Sequence, residues 1–197
     1  AGIIGTVYDG AFKFLKFGDD AENTLMASGA GDILYGGLGD DTLDLSAGGS
    51  NVVLLNSIAA ENGTDTIVGF VLGDGPGADV IELLPVSGLR GYDWQLVSAG
   101  DLIGDDVGFL VYTTALSNLT EIMDPDSYIF DGPALGDDPF FILATYDGIT
   151  VLNRFDTSAA TSTEEISVET LAVFTGLGDL SQFTTANLGF FDPYMGV

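Results

Sequence analysis

Residues 36–44 have the sequence GGLGDDTLD, a complete match to the nine-residue pattern G-G-x-G-x-D-x-U-x, in which U is a large apolar residue. The glycines permit the positive φ angles of a tight turn and let neighbouring backbones approach closely. Six residues form the turn, and three form a short strand whose apolar residue is expected to point inward. We call the position of Asp41 the aspartate position. The stretch predicts one turn of a repetitive β structure.

The flanking segments keep the nine-residue period with partial matches. The aspartate position holds Asn23, then Asp32 and, after one inserted residue, Asn51. Asparagine offers an oxygen without a charge, so we expect weaker ion sites wherever it replaces aspartate. The inward apolar residues of the four repeats are expected to be Leu25, Leu34, Leu43 and Val52.

Successive turns should alternate between two sides, so that turns eighteen residues apart stack directly. We expect the loop at 18–23 to face the loop at 36–41 across one ion, and the loop at 27–32 to face the loop at 46–51 across another. The chain has no cysteine and no histidine, and the remaining carboxylate, amide and carbonyl oxygens select hard cations such as Ca²⁺. The alternative is a glycine-rich array of turns without metal. The predicted metal-site residues in these loops are Gly18, Asp20, Asn23, Gly29, Gly31, Asp32, Gly36, Leu38, Gly39, Asp40, Asp41, Gly48 and Asn51.

The repeats of residues 18–53 resemble the repeat-in-toxin (RTX) family, the calcium-binding parallel β-roll of type I secreted bacterial proteins. Residues 62–70 (NGTDTIVGF) and 79–83 (DVIEL) are similar to the segment that closes such repeats, which adds Asp65 and Asp79 to the expected metal-site residues. The segments 169–177 and 185–190 also resemble strands that follow the repeats in that family. The resemblance implies Ca²⁺ as the cofactor, an extracellular or cell-surface location, and the type I secretion machinery as a partner.

The composition restricts the partners of the chain. Among 197 residues there are 30 acidic and 4 basic ones, which gives a formal net charge of −26. This charge excludes nucleic acid as a partner and argues against anionic membrane surfaces. No apolar run is long enough to insert into a membrane, and the N-terminal residues lack the features of a secretory signal peptide.

The rest of the chain is predicted to be strands separated by turns. Asp9-Gly10 predicts a hairpin between Ile3–Tyr8 and Ala11–Phe17, and Asp147-Gly148 predicts another between 141–146 and 149–155. The two hairpins share a Tyr-Asp-Gly turn. Either an internal duplication or chance explains this similarity. Helical structure is expected only near Leu116–Met123 and Gly178–Phe183. Further strands are expected at Asn51–Asn56, Thr66–Leu72, Asp79–Leu84, Trp94–Val97, Gly108–Thr114, Ser127–Phe130 and Thr170–Thr175.

The predicted fold is all-β: a short parallel β-roll continued by, and packed with, an antiparallel β-sandwich-like region. We expect an N-terminal hairpin at 1–17 and the roll with its closing strands at 18–84. A C-terminal β-rich region is expected at 85–197, and its end is compatible with a type I secretion signal.

The sequence favours a non-catalytic protein, because no histidine or cysteine is present to serve as a base or a thiol nucleophile. We expect a secreted calcium-binding structural protein that folds and self-assembles outside the cell, as a subunit of a surface layer, filament or matrix. It would pair with copies of itself through β edges and calcium. One alternative is an adhesive or glycan-binding module in which Tyr92, Trp94 or the aromatic C-terminus contacts a glycan. Another is the C-terminal secretion domain of a larger RTX protein.

Overall fold

A computed structural model describes residues 1–8, 11–84, 93–98, 101–103, 107–117, 129–130, 139–156 and 167–190. These residues form strands and short 3₁₀ turns, and no α-helix occurs among them, so the predicted all-β class is confirmed. In chain order the strands are β1 (Gly2–Tyr8), β2 (Ala11–Phe17), β3 (Thr24–Met26), β4 (Ile33–Tyr35), β5 (Thr42–Asp44), β6 (Val52–Asn56), β7 (Asp65–Val68), β8 (Val80–Leu84), β9 (Asp93–Val97), β10 (Leu102–Ile103), β11 (Val107–Tyr112), β12 (Ile129–Phe130), β13 (Phe140–Tyr146), β14 (Ile149–Asp156), β15 (Ser167–Thr175) and β16 (Leu188–Phe190).

The chain divides into two compact units. The first comprises Ala1–Val86 with the segments Leu171–Gly176 and Gln182–Val197, and the second comprises Ser87–Thr170 with Leu177–Ser181. The first unit therefore includes the hairpin and the roll, together with two segments from the region predicted as C-terminal.

The first unit contains a parallel β-roll. Strands β3, β5 and β7 pair in parallel on one side, and residues 172–175 of β15 pair with β7. Strands β2, β4, β6, β8 and β16 pair in parallel on the other side. Since the strands from β3 to β8 alternate between the two sheets, repeats stack two apart. Thr24 pairs with Thr42, which is the predicted spacing of eighteen residues.

The interior of the roll is formed by aligned apolar residues. In one sheet Leu43 lies in register between Leu25 and Ile67, and all three are buried. In the other sheet Leu34 is in register with Val53, so Val53 and not the predicted Val52 is the equivalent residue, although Val52 is also buried. The inserted residue precedes Asn51, and the apolar residue still follows the aspartate position by two. Each such side chain contributes roughly 1.5–3 kcal/mol on burial.

The N-terminal hairpin extends the roll. Strand β1 is antiparallel to β2, as predicted, and β2 pairs in parallel with β4, with Leu15 opposite Ile33. The Asp9-Gly10 turn lies outside the described residues. Strand β1 is the last strand of its sheet, and the side chains of Ile3 and Ile4 are exposed on it.

The second unit contains a mixed sheet. Strands β9, β11 and β13 pair in parallel, and β14 returns antiparallel to β13. Asp147 and Gly148 join β13 to β14 with φ angles of 49° and 76°, so the predicted hairpin with positive φ at both turn residues is confirmed. The core includes Phe140 and Phe155, whose rings stack at 5.3 Å.

The two helical predictions have different outcomes. Leu180–Gln182 is a 3₁₀ turn within the predicted Gly178–Phe183 segment. The other candidate, Leu116–Met123, lies almost wholly outside the described residues, and Leu116 itself forms a β-bridge with Tyr146.

Candidate metal centre

The residues at the aspartate position form a hydrogen-bonded ladder on each side of the roll. On the first side, the backbone N–H of Asn23 donates to Asp41 Oδ1 at 2.7 Å, and that of Asp41 donates to Asp65 Oδ1 at 3.0 Å. On the second side, the N–H of Asp32 donates to Asn51 Oδ1 at 2.9 Å. The N–H of Asn51 donates to Asp79 Oδ1 at 2.8 Å.

The nine-residue spacing predicts Asn23, Asp32, Asp41 and Asn51 at the aspartate position. Asp65 and Asp79, which belong to the closing segment, extend the two ladders. Except for Asn23, all are at most 1% exposed, so each ladder carries buried carboxylates along the roll. The hydrogen bonds give the aspartate position a structural role in every repeat.

The predicted loop pairs are formed. We call loops 18–23 and 36–41 the Asp41 loop pair, and loops 27–32 and 46–51 the Asp32 loop pair. In the first pair, Gly18 N donates to Tyr35 O at 2.9 Å and Thr42 N donates to Asn23 O at 2.9 Å. In the second pair, a Cβ built on Gly29 would lie 2.9 Å from the Ala47 carbonyl oxygen.

Oxygen atoms gather around two glycines of the Asp41 loop pair. A Cβ on Gly18 would collide with the carbonyl oxygen of Gly36 and with Asn23 Oδ1, and a Cβ on Gly36 would collide with Asp41 Oδ2. Both positions therefore require glycine for steric reasons. The carbonyl, amide and carboxylate oxygens that lie beside these two glycines are the ligand types that calcium prefers.

One carboxylate oxygen in this loop pair lacks a partner. Asp41 is 1% exposed, and its Oδ2 is buried without a hydrogen bond from any described residue. Burial raises the pKa of Asp41, and the neighbouring charges of Asp19, Asp40 and Glu22 raise it further. A buried oxygen left in this state costs about 1–3 kcal/mol, and more when it is charged. A bound cation would offset that cost.

The other predicted residues of the Asp41 loop pair lie at its surface. Asp20 is exposed, and Leu38 is 40% exposed. Asp40 is exposed and accepts the Thr64 N–H at 2.8 Å, and Gly39 has a φ of 102°. Neither acidic side chain is brought to Asp41 Oδ2 by a described contact.

The sequence did not single out Asp19, which supports Asn23 in this loop pair. The Asp19 N–H donates to Asn23 Oδ1 at 2.8 Å, and Asn23 Nδ2 donates back to Asp19 Oδ1 at 3.1 Å. The pKa of Asp19 is lowered by the Asn23 hydrogen bond and then by the Ala21 N–H. Because Asp19 and Asp20 are adjacent in a degenerate repeat, their spacing alone did not distinguish them.

The Asp32 loop pair has a different electrostatic environment. Lys16 Nζ lies 2.8 Å from Asp32 Oδ2 and 2.7 Å from the Met26 carbonyl oxygen, and Lys13 Nζ donates to the Ser50 carbonyl. Burial acts to raise the pKa of Asp32, but hydrogen bonds from Lys16 and Ser28 outweigh it and lower the pKa. The two buried aspartates at equivalent positions are therefore shifted in opposite directions.

Side-chain NH₂ groups of asparagines donate hydrogen bonds to aspartates of both ladders. Asn51 Nδ2 donates to the carbonyls of Gly48 and Gly49 at 3.3 and 3.2 Å, and to Asp79 Oδ1 at 3.0 Å. These carbonyls, which include the predicted ligand Gly48, already have a donor. The second oxygen of Asp79 accepts the Val71 N–H at 2.8 Å.

The acceptor groups of the closing segment are hydrogen-bonded to asparagine NH₂ groups in the same way. Asn62 Nδ2 donates to Asp65 Oδ2 and to the Gly63 carbonyl, both at 3.2 Å. Burial, followed by the charge of Asp41 among the raising effects, brings the pKa of Asp65 to about 7 although hydrogen bonds oppose the shift. Asn187 Nδ2 likewise donates to the Asp79 carbonyl at 2.9 Å. Asp65 and Asp79 thus have donors on both oxygens.

A calcium ion at the Asp41 loop pair would depend mainly on backbone and amide oxygens. In the described part of the chain, no three acidic side chains come together as a metal-binding group. The residues that fit are Asp41 through Oδ2, Gly36 through its carbonyl, and Asn23 through Oδ1. Water would supply the remaining ligands, because calcium takes six to eight oxygens.

Comparisons with known proteins add no relative. No protein-family model, curated protein or solved structure matches the chain. Within the described ranges, no helix has the length and apolar character needed to cross a membrane.

Proposed function

We propose that the chain is a secreted calcium-binding structural protein whose roll is stabilised by Ca²⁺ at the Asp41 loop pair. The observation that carries this proposal is the buried Asp41 Oδ2, which accepts no hydrogen bond from the described residues and lies beside the glycine turn at Gly36. A hard cation would neutralise this oxygen, and the neighbouring ligands are all oxygen atoms.

The ligand set predicts a weak site. Asp41 supplies a carboxylate oxygen that lacks a donor among the described residues, and Asn23 supplies a neutral amide oxygen. Few charged ligands place calcium sites in the range of extracellular modules, with a dissociation constant of about 10⁻⁴–10⁻³ M. Such a site would be empty at cytoplasmic calcium concentrations and filled outside the cell.

Charge repulsion gives calcium its effect on folding. Residues 18–84 contain twelve aspartate and glutamate residues and no lysine or arginine. Ions that bind only the folded roll shift the equilibrium toward it by mass action. Calcium would therefore act as a switch that permits folding after export.

Self-assembly is the second part of the proposal. Strand β1 is the last strand of its sheet and exposes Ile3 and Ile4, which supports edge pairing with a second copy of the chain. Bound calcium would lower the repulsion between copies that each carry a charge of −26. A non-catalytic role, export by type I secretion machinery and an extracellular location belong to the same proposal.

The alternative functions stay predictions. In the glycan-binding alternative, Tyr92 lies outside the described residues, and Trp94 is partly buried in β9. Of the tail expected to carry a secretion signal, residues 190–197, all but Phe190 lie outside them.

The test is a titration of chelator-treated protein with CaCl₂, followed by circular dichroism and light scattering, with MgCl₂ as the control. A calcium-specific gain in β signal followed by rising scatter supports both parts of the proposal. Folding without scatter contradicts self-assembly and favours a monomeric binding or secretion module. If calcium changes neither signal, calcium-dependent folding is refuted.

A further inference from the structure

The two loop pairs have the same stacking but a different supply of positive charge. Each pair contains a buried aspartate at the aspartate position, Asp41 or Asp32, with exposures of 1% and 0%. No described donor reaches Asp41 Oδ2, whereas Asp32 Oδ2 accepts hydrogen bonds from Lys16 Nζ at 2.8 Å and from the Ser28 N–H at 2.6 Å.

We propose that the Asp32 loop pair is a latent calcium site, in which the ammonium groups of Lys16 and Lys13 take the place of the ion. The inference rests on the proposed function, because it treats the Asp41 loop pair as the calcium-binding counterpart. Removal of Lys16 would then open a second site for a hard divalent cation.

Lys16 has the contacts that a bound cation would have in this position. Its Nζ lies between the carboxylate of Asp32 and the carbonyl of Met26, which are both ligand types of Ca²⁺. The Lys16 side chain is 14% exposed and the Asp32 side chain is fully buried. Removing one member of such a pair leaves an uncompensated charge in the interior, so the site without Lys16 would require another cation.

Lys13 reaches the interface of the two loops. Its Nζ donates to the Ser50 carbonyl, and it lies 3.0 Å from the position of a Cβ built on Gly31. Asp32 Oδ1 has no hydrogen-bond donor within the described ranges. Asp32 Oδ1 and the Met26 carbonyl therefore remain as ligands for an ion once Lys16 is replaced, and the Ser50 carbonyl stays bonded to Lys13.

The topology explains why the lysines serve only one side of the roll. Strand β2 pairs in parallel with β4, and Lys16 is in register with Leu34, two residues beyond Asp32. Strand β3, by contrast, is the first strand of its sheet, so no lysine-bearing strand lies beside it. In the described part of the chain, the remaining cationic side chain is Arg154, which pairs with Asp156 and Glu169 in the second unit. The ammonium group of Ala1 contacts Asp19 Oδ2 at 3.3 Å at the exposed surface of the Asp41 loop pair, away from the buried Asp41 carboxylate.

The experiment counts the calcium ions bound per chain, by isothermal titration calorimetry and equilibrium dialysis. The full chain is compared with Lys16→Gln and with Arg154→Gln as the control, which removes the same charge in the second unit. We expect one ion in the wild-type chain and in Arg154→Gln, and two ions in Lys16→Gln. The same count in Lys16→Gln and wild type would overturn the inference.

A second measurement, of the melting temperature, keeps the inference testable if Lys16→Gln does not fold without calcium. We expect its melting temperature in chelator to fall below that of the wild type and to recover in calcium. The double variant Lys16→Gln/Asp32→Asn has no buried carboxylate to neutralise at the Asp32 loop pair, so it should fold in chelator and bind the wild-type number of ions. If the double variant folds while Lys16→Gln is unfolded even in saturating calcium, the latent site is refuted.

The same count separates the two proposals. A wild-type chain that binds no calcium refutes the proposed function, whereas a gain of one ion in Lys16→Gln over the wild type still supports the latent site. A wild-type chain that binds one ion, with no gain in Lys16→Gln, supports the function and refutes the latent site.

Discussion

Replacing Asp41 by asparagine separates the role of its second oxygen from its role in the ladder, because the two side chains have nearly the same shape. In the Asp41→Asn variant, the remaining side-chain oxygen would still accept the Asn23 N–H, which Asp41 Oδ1 accepts at 2.7 Å. The charge on Oδ2 would be lost, and an NH₂ group would take its place beside Gly36. The structure already contains this arrangement at Asn51, whose Nδ2 donates to two glycine carbonyls.

The expected effects have opposite signs in calcium and in chelator. With a dissociation constant of about 10⁻⁴–10⁻³ M, calcium at about 10 mM stabilises the wild-type chain by about 1.4 to 2.7 kcal/mol. Asp41→Asn should lose most of this increment. In chelator the variant should be more stable than the wild type by about 1 kcal/mol, because it no longer buries a carboxylate oxygen without a donor.

The assay is urea unfolding monitored by circular dichroism, with and without calcium. Urea is uncharged and leaves the electrostatic terms unscreened, so the free energies of unfolding can be compared directly. Asp74→Asn is the matched control, since it removes one charge from an exposed roll residue and should keep the full calcium increment. The reasoning is refuted if Asp41→Asn retains the wild-type increment, or if it is less stable than the wild type in chelator.

Three further variants test other parts of the structure by the same unfolding assay. Gly36→Ala should lower stability in calcium by about 1–3 kcal/mol and abolish the calcium increment, because its methyl group collides with the Asp41 carboxylate. Wild-type stability and a wild-type increment would contradict the close approach of Gly36 to that carboxylate. Asp65 has a pKa raised to about 7, so the folded chain binds a proton that the unfolded chain releases near pH 4. As the pH rises from about 4 to about 7, the free energy of unfolding in chelator should therefore fall by up to about 1.4 kcal/mol per pH unit. Asp65→Asn should reduce that slope, and an equal slope in both chains would exclude Asp65 as its source. Leu43→Ala, between Leu25 and Ile67 in the core, should cost about 2–5 kcal/mol with and without calcium, and a change in the calcium increment would argue against its purely apolar role.

The roll could be predicted because its geometry follows from a local nine-residue repeat. The spacing of Asn23, Asp32 and Asp41 determines which strands alternate and which loops face each other, and the register of Thr24 with Thr42 agrees with it. The residue inserted before Asn51 does not shift the apolar position, so Val53 rather than Val52 is in register with Leu34. The strand instead keeps its distance from Asn51, since the side chain of Asn51 is fixed by the ladder.

The roles of the lysines could not be read from the repeat. Lys16 contacts Asp32 because β2 pairs with β4, and that pairing joins segments outside the nine-residue pattern. The sequence AFKFLKF of residues 11–17 did place two charges in an apolar strand, which is a signal for buried counter-ions. It does not indicate which carboxylate they neutralise.

The asparagines show a second limit of sequence reasoning. An asparagine at a calcium loop can offer its oxygen to an ion or its NH₂ group to a carbonyl. Asn51 uses its Oδ1 for the Asp32 N–H and its Nδ2 for the Gly48 and Gly49 carbonyls, whereas it was expected to be an ion ligand. The choice depends on the carbonyls of the same turn and on Asp79, which lies 28 residues away in the chain.

Calcium binding at the Asp41 loop pair is tested most directly by isothermal titration calorimetry of the chelator-treated wild-type chain and Asp41→Asn, with MgCl₂ as the control. We predict saturable, calcium-specific binding of one ion to the wild-type chain and none to the variant. No saturable calcium binding by the wild type, or equal binding by the variant, would contradict calcium coordination by Asp41.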